Sequence, residues 1–490
     1  MRPNLTTPNS ELTTAMPIVT RVDRKEIHRI HLLGVCGTGM GSFAGMLAAQ
    51  GFTVTGSDEN VYPPMSDMLE GWGVRTMLGY KPENLDEAKP DLVIVGNVIR
   101  QVNPEATAVR ERGLPHMSFP AALGELCIGE KHSLVVAGTH GKTTTTAMLA
   151  HVLSAAGRDP SMLVGGVSLD FGANFKVGAG EHFVVEGDEY DTAYFDKGPK
   201  FLHYRPRSAI FTSLEFDHAD IYRDMAHYCS SFERFVALLP EDGYLAVCAA
   251  YPRAVELARA CRAKVETYAG ATGADWHADG LTHGAGGAFF DVVHKGVKLG
   301  RVNLAVGGPH NVENALGVIA LATSLGLSIE EIDKGLASFR GVKRRQELRG
   351  EPNGVFVIDD FAHHPTAVRE TIAAIGARYP GHRLWAIFEP RSNTSRRNIH
   401  QAEYARAFTG ASRAVIATPL PTDKVPADEM LDVGQLAKNI TANGVSATAA
   451  ADVAEIVALV KAEAKPGDVL LVMSNGAFGG LIDKLLVALQ

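Results

Sequence analysis

Residues 133–147 read SLVVAGTHGKTTTTA, a strand-like run that enters Gly138-Thr139-His140-Gly141-Lys142-Thr143-Thr144 and continues as a helix. Glycines allow such a loop to point its N–H groups at phosphate oxygens, and a helix N-terminus adds partial positive charge. Lys142 supplies a cation for β/γ-phosphates, and the Thr143 hydroxyl suits Mg²⁺. A full Walker pattern has glycine where Val136 stands, so the loop is a shorter variant opened by Gly138. The pattern points to ATP or GTP. Downstream, strand His182–Val185 runs into Glu186-Gly-Asp188-Glu189-Tyr-Asp191, hard oxygen donors of the kind Mg²⁺ takes. Strand Ala209–Phe211 leads to Glu215, Asp217, His218 and Asp220, where His218 would ligate a second metal or orient a phosphate.

A second glycine loop lies near the start. Residues 30–49 read IHLLGVCGTGMGSFAGMLAA, with Cys36 where a dinucleotide fingerprint has its second glycine. Asp58 follows Gly34 by 24 positions, close to where a Rossmann acid reads a ribose. The loop therefore serves either a nucleotide diphosphate or strand–helix packing alone. Toward the C-terminus, Gly307-Gly-Pro-His310-Asn311-Val-Glu-Asn314 opens a helix, and its asparagines suit capping or a base edge. Lys343-Arg344-Arg345 offers an arginine for charge on a transferring phosphoryl group, or a solvated basic face. Asp359-Asp360-Phe-Ala-His363-His364-Pro365 is a further cluster, or else a helix cap with proline in the first turn.

The elements around these loops alternate. Short apolar strands are expected at Ile30–Val35, Leu92–Val95, Ser133–Ala137, Phe183–Val185, Ala209–Phe211, Val355–Ile358, Leu384–Phe388, Ala414–Ala417 and Val469–Met473. Helix-length segments lie between them, including Gly41–Ala49, Thr144–Ala156, Val312–Leu325, Thr366–Ala377 and Val453–Lys461. Runs apolar on both faces are the mark of buried parallel strands, so the fold class is α/β with mostly parallel sheets. Breaks near 127 and 341 give a polar, disordered tail at 1–22 and domains at 23–127, 128–341 and 342–490. The 490 residues, 46% hydrophobic and 21% charged, have an ordinary globular composition. The net charge of -8 excludes a chain-wide basic footprint for nucleic acid. Five cysteines without a C-x-x-C pair argue against a disulfide framework or cysteine-based zinc site. No apolar run of membrane-spanning length and no signal-peptide core occurs, which leads to the expectation of a cytoplasmic enzyme.

Taken together, GTHGKTTT at 138–145, EGDEYD at 186–191, LEFDHADIY at 214–222, GPHNVENA at 308–315, VKRRQELRG at 342–350 and VIDDFAHHPTAV at 357–368 resemble the Mur ligase family. The family consists of ATP-dependent amide-forming enzymes of bacterial cell-wall peptide synthesis and recycling. The resemblance covers residues ~27–490 and implies a Rossmann-like N-terminal domain, a central P-loop ATPase-type domain and a C-terminal Rossmann-like domain. The glycine-loop start and the DD-x-x-HHP motif resemble the branch that adds L-alanine to UDP-N-acetylmuramate. Segments 57–69, 189–207, 389–394 and 472–480 resemble more closely the recycling branch, which adds the murein tripeptide L-Ala-γ-D-Glu-meso-diaminopimelate.

The resemblance implies UDP-sugar binding by Gly37, Thr38, Gly39, Met40, Ser57 and Asp58. It implies ATP binding by Gly138, Thr139, His140, Gly141, Lys142, Thr143, Thr144, Asn311, Asn314, Arg345 and Asp360. Metal ligation falls to Thr143, Glu186 and His218, catalysis to Lys142, Glu186, His218 and Arg345, and peptide contact to Arg391, Ser392, Asn393, Ser474 and Asn475. ATP and Mg²⁺ are the implied cofactors, and the chain is expected as a monomer or weak homo-oligomer. Two departures stand out. Several family members carry a carbamoylated lysine about 14 positions after the motif histidine, where Phe232 stands, and Ser213 occupies a position the nearest relatives fill with asparagine.

Overall fold

The computed structural model describes residues 21–284, 287–420, 422 and 425–490. Most of the tail expected at 1–22 therefore lies outside the described residues. The described chain divides into two compact units, one holding the segment up to Cys127 together with Thr192–Lys197, the other holding Ile128–Asp191 and Gly198–Gln490.

The first unit is built on five parallel strands in the order Arg75–Leu78, Thr53–Asp58, Arg29–Leu33, Leu92–Val95, His116–Ser118. Chain order reverses between Arg29–Leu33 and Leu92–Val95, and such a switch point opens a crevice at the strands' C-terminal ends. The glycine loop leaves the sheet there. Leu33, Val93, Val95, Ile99 and Val109 are buried together, and Tyr194 and Phe195 pack against that cluster from the later segment of the same unit. Arg110 Nη1 donates to Tyr194 Oη at 2.8 Å.

The second unit carries two sheets. In the larger, seven parallel strands run from Trp276–Gly284 through Lys264–Ala269, Tyr244–Cys248, Ser208–Phe211, His132–Ala137 and His182–Gly187 to Ser161–Leu163. Antiparallel strands extend it at both ends, Gly287–His294 and Val297–Leu304 at one and Phe175–Lys176 at the other. Helices Lys142–Ala155, Pro309–Ser324 and Ile329–Ser338 cover one face, where Leu149, Val152, Ile319, Leu321 and Leu336 are fully buried. The capping box of Ser328 and Glu331 fixes the start of the last of these helices.

The smaller sheet runs Glu347–Gly350, Phe356–Asp360, Val469–Met473, Leu384–Phe388, Arg413–Ala417, Ser446–Ala450, all parallel except the first pair. Its central strands are buried on both faces, with Ile358, Ala386 and Leu471 on one side and Val357, Ile387 and Leu470 on the other. No helix among the described residues is long and apolar enough to cross a membrane.

Candidate functional site

In the first unit Gly34 has φ +86° and its N–H donates to Ser57 O at 2.8 Å, so the loop turns in a conformation that favours glycine. Asp58 closes the loop from the neighbouring strand. Its carboxylate accepts the Cys36 N–H at 2.9 Å and the Asn60 N–H at 3.1 Å. Gly37, Thr38 and Gly39 are exposed at the start of helix Thr38–Ala49, which has no side-chain cap. That helix end has free N–H groups of the kind that receive an anion. Met40 differs: its side chain is buried and lies against Gly96, so only its backbone faces the loop. Ser57 Oγ is buried and has no protein partner.

In the second unit the phosphate loop follows strand His132–Ala137. Gly138 has φ +137°, and a Cβ there would collide with Thr212 Oγ1 and the Ser213 backbone. Gly141, at φ +79°, faces Asn314, whose Oδ1 would lie 2.6 Å from an added Cβ. Asn314 in turn donates to Asn311 Oδ1 at 3.2 Å, and Asn311 donates to Gly307 O at 2.7 Å. The two asparagines are thus set on helix Pro309–Ser324 beside the loop. Ser213 is engaged too: its Oγ accepts the His140 N–H at 2.7 Å.

Lys142 spends all three of its ammonium protons inside the loop and its acidic neighbour. Nζ donates to Gly138 O at 2.5 Å, Thr139 O at 3.2 Å and Glu189 Oε2 at 2.9 Å. Glu189 is fully buried on strand His182–Gly187's exit, and also accepts Tyr228 Oη at 3.1 Å and faces His218 Nε2 at 3.3 Å. Burial alone would raise its pKa, but Lys142 and His218 outweigh it and hold the carboxyl at about 2. His218, at φ +55°, is opposed by burial yet pushed up to about 9 by Glu189 and Asp217. Thr143 Oγ1 donates to Glu186 Oε1 at 2.8 Å, and the Gly165 N–H donates to Glu186 Oε2 at 2.7 Å. Burial and the nearby Asp188 hold the Glu186 carboxyl above the usual carboxylate range. A cation beside it would relieve that cost.

The smaller sheet brings Arg345 to the same place. Its Nη2 donates to Thr143 Oγ1 at 3.4 Å while the guanidinium lies 5.0 Å from the centre of the Phe361 ring. The neighbouring Arg344 turns the other way, to Ser474 O at 2.8 Å and Gly476 O at 2.7 Å. Asp360 accepts the Gln346 N–H at 2.8 Å and the Ala362 N–H at 2.7 Å, and so anchors the segments on either side of Arg345 and Phe361. Ser474 donates to Glu389, and a Cβ at Gly476 would collide with Arg391 Nε, which gathers Arg391, Ser474 and Asn475 at one end of the smaller sheet. Asn393 reaches instead to the larger sheet's loop, where its Nδ2 donates to Asp220 Oδ2 at 2.8 Å, beside the Ala219 N–H to Thr394 Oγ1 contact at 3.3 Å. Ser392 bonds Ser395 Oγ at 2.9 Å.

Phe232 is fully buried and stacked on Phe211 with ring centres 4.9 Å apart and planes 5° apart. Its position therefore contributes packing, and His218 takes Glu189 as its partner. Tyr228 and Thr366 escape sequence reasoning, and Glu189, named there only as one of several oxygen donors for Mg²⁺, proves to pair with Lys142 and His218. Glu189 is the acid three positions after Glu186 in a motif already acidic throughout, whereas Tyr228 and Thr366 carry no motif signal of their own.

Comparison with known proteins settles what this arrangement belongs to. The family descriptions "Mur ligase family, catalytic domain", "Mur ligase middle domain" and "Mur ligase, glutamate ligase domain" match residues 29–131, 136–322 and 344–476 in turn. The chain belongs to the Mur ligase family. Mur ligases similar to it include the UDP-N-acetylmuramate--L-alanyl-gamma-D-glutamyl-meso-2,6-diaminoheptandioate ligase of Escherichia coli, 41% identical over 94% of this chain and 97% of the relative. The Haemophilus influenzae protein of the same name is 39% identical over 94% and 99%. Among solved structures, the murein peptide ligase of Psychrobacter arcticus is 37% identical with a TM-score of 0.70, over 94% of this chain and 98% of that one. Mur ligases that add L-alanine are similar too; the UDP-N-acetylmuramate--L-alanine ligase of Acetivibrio thermocellus is 33% identical over 93% of this chain and 95% of the relative.

Proposed function

We propose that this Mur ligase joins UDP-N-acetylmuramate to the tripeptide L-alanyl-γ-D-glutamyl-meso-diaminopimelate at the expense of ATP, in the cytoplasm, as a step of peptidoglycan recycling. The observation that carries the substrate choice is the similarity over 94% of the chain to two tripeptide ligases at 41% and 39% identity, against 33–37% for alanine ligases that match over 80–93% of it. The chemistry rests on Lys142, Thr143, Glu186 and Arg345 meeting at one helix N-terminus.

In this reading the phosphate loop holds the triphosphate on its N–H groups, and Asn311 and Asn314 flank the nucleotide. The Thr143 hydroxyl and Glu186 carboxylate are hard donors that fit Mg²⁺, which would neutralise phosphate charge there. His218 and its partner Glu189 would serve a second metal. The muramate lactyl carboxylate attacks the γ-phosphorus, the bond to the ADP oxygen breaks, and ADP departs with its electron pair. Lys142 exchanges one carbonyl for a phosphate oxygen and, with Arg345, offsets charge on the transferring group. The tripeptide's amine then attacks the acyl phosphate carbon, the C–O bond to phosphate breaks, and the amine sheds a proton as the amide forms. An acyl phosphate hydrolyses readily, so contact between the two sheets' loops, through Asp220–Asn393 and Glu215–Thr366, serves to exclude water. The first unit's glycine loop would take the UDP diphosphate, and Arg391, Ser392, Asn393, Ser474 and Asn475 would line the peptide's approach.

The alanine ligase is the second reading, favoured by the extent of its own similarity. A ligation assay offering L-alanine and the tripeptide together separates them. We expect the tripeptide product; predominant UDP-N-acetylmuramoyl-L-alanine would overturn the assignment.

A further inference from the structure

The seam between the larger and smaller sheets of the second unit contains a cluster of imidazole and carboxylate side chains to which the phosphoryl- and acyl-transfer steps assign no role, although Glu215 also helps close the seam through Thr366. His140 stands in the phosphate loop, Glu215 follows strand Ser208–Phe211, and His364 caps helix Pro365–Arg378 on the smaller-sheet side. His140 Nε2 is 2.9 Å from Glu215 Oε2, and His364 Nδ1 is 3.9 Å from the same oxygen. One donor atom from each residue lies within 4.8 Å of the other two. We propose that His140, Glu215 and His364 form a site for a borderline-soft divalent cation of the Zn²⁺ or Co²⁺ kind, bridging the two sheets.

Three arguments carry this. The first is donor identity: two imidazoles and one carboxylate with a fourth position left for water is a tetrahedral zinc set, whereas Thr143 and Glu186 offer only the hard oxygens that Mg²⁺ takes. The second is the tautomer of His364. The Thr366 N–H donates to Nδ1 at 3.3 Å, so the lone pair rather than the proton is on the nitrogen facing Glu215. That bond is long enough to be surrendered to an ion. The other nitrogen, Nε2, is buried with no protein partner, so no alternative bond pulls the ring away. The third is distance. Ligands 2.0–2.2 Å from a tetrahedral ion lie about 3.3 Å apart, between the two separations measured here. Modest rotation of the His140 and His364 rings, whose centres are 4.5 Å apart, closes the difference. The competing account is plain packing, in which Glu215 pairs with His140 and accepts Thr366 Oγ1 at 3.0 Å and the rings merely stack.

The two accounts part on a metal titration of the full chain. In excess Mg²⁺, to occupy oxygen-donor sites, Co²⁺ is added and its visible absorption followed, then Zn²⁺ is used to displace it. The site predicts one tetrahedral Co²⁺ per chain, displaced by Zn²⁺ and accompanied by a rise in melting temperature, since the ligands come from both sheets. Losing even an outer-sphere partner costs a metal site about 10–100-fold, so Glu215→Gln and His364→Ser should each weaken Co²⁺ by at least about 100-fold. Serine retains a helix-capping oxygen. Should either variant misfold, His140→Ala removes a ligand whose ring caps nothing. Absence of tetrahedral bands, or bands that persist unchanged in a folded variant, would overturn the proposal. The outcome is independent of which amino substrate the enzyme uses.

Discussion

Lys142→Met tests whether the phosphate-loop lysine also holds the site's own residues together. The side chain's three protons go to Gly138 O, Thr139 O and the buried Glu189. Glu189 is held at about 2 against an ordinary 4.5, with burial opposing and Lys142 and His218 outweighing it. That lowering is net of the opposing burial, so at ~1.36 kcal/mol per pKa unit the two cations together supply more than roughly 3 kcal/mol. Assigning the larger part to Lys142 gives a loss of roughly 2–3 kcal/mol, consistent with the cost of stripping one partner from a buried pair. Glu189→Gln in the same background removes the stranded charge and should recover at least about half of it. The assay is urea unfolding followed by tryptophan fluorescence, with wild type, single and double variants side by side. The pH dependence has a fixed sign. A carboxyl lowered by folding contributes fully above its unfolded pKa, and that contribution is lost as pH falls toward its folded one. The gap between wild type and Lys142→Met should therefore narrow from pH 4.5 down to about 2. Ligation is expected to vanish in both variants while UDP-sugar binding stays near wild type. A single variant as stable as wild type, or a double variant no better than the single, would refute the pairing argument; ligation surviving in either would refute the phosphate-loop assignment.

Gly141→Ala places a Cβ 2.6 Å from Asn314 Oδ1 at φ +79°, so ATP affinity should fall. With the left-handed backbone costing about 1–2 kcal/mol, Asn314→Ala in the same chain should relieve only the contact and restore part of the lost thermal stability in calorimetry, not the ATP affinity. Arg345→Ala should lower kcat by about 10²–10³-fold with a smaller change in ATP KM, because its charge is placed for the transferring group; an effect confined to KM would contradict that role. Burial and Arg345 hold the His310 imidazole at about 4. Its unfolded form binds a proton from about pH 6.5 downward, so stability falls as pH drops from 6.5 to 4, with a slope below the ~1.4 kcal/mol per pH unit limit because the ring is partly exposed. His310→Gln should flatten that slope in pH-dependent unfolding.

Much of this architecture is legible in local sequence because parallel strands buried on both faces are short apolar runs. Leu92–Val95, Leu384–Phe388 and Val469–Met473 fall where the apolar runs begin and end. The antiparallel extension Gly287–His294 and Val297–Leu304 is different. One face of it is wet, with Val297 61% exposed, and its alternating pattern is diluted by glycines and polar residues. Motif reasoning finds Lys142, Thr143, Glu186 and Arg345, whose chemistry needs particular residue types at particular spacings. It misses Tyr228, which reaches Glu189 across 39 residues of chain, because a tyrosine acting by position leaves no spacing to read. Residue type alone does not tell Arg344 from Arg345; the family resemblance names Arg345, and the structure shows that Arg344 braces Ser474 and Gly476 while Arg345 bonds Thr143.

The first unit is discontinuous, taking Thr192–Lys197 from the later chain, and this has a consequence for synthesis. Tyr194 and Phe195 cover part of the cluster around Leu33, Val93 and Val109, and Arg110 waits for the Tyr194 hydroxyl. On a ribosome those two aromatic rings emerge about 70 residues after Cys127, roughly 4–14 s later at 5–20 residues/s. For that interval the nascent N-terminal sheet has an uncovered apolar edge, an opening for chaperones. A fragment ending at residue 127 would preserve that state permanently.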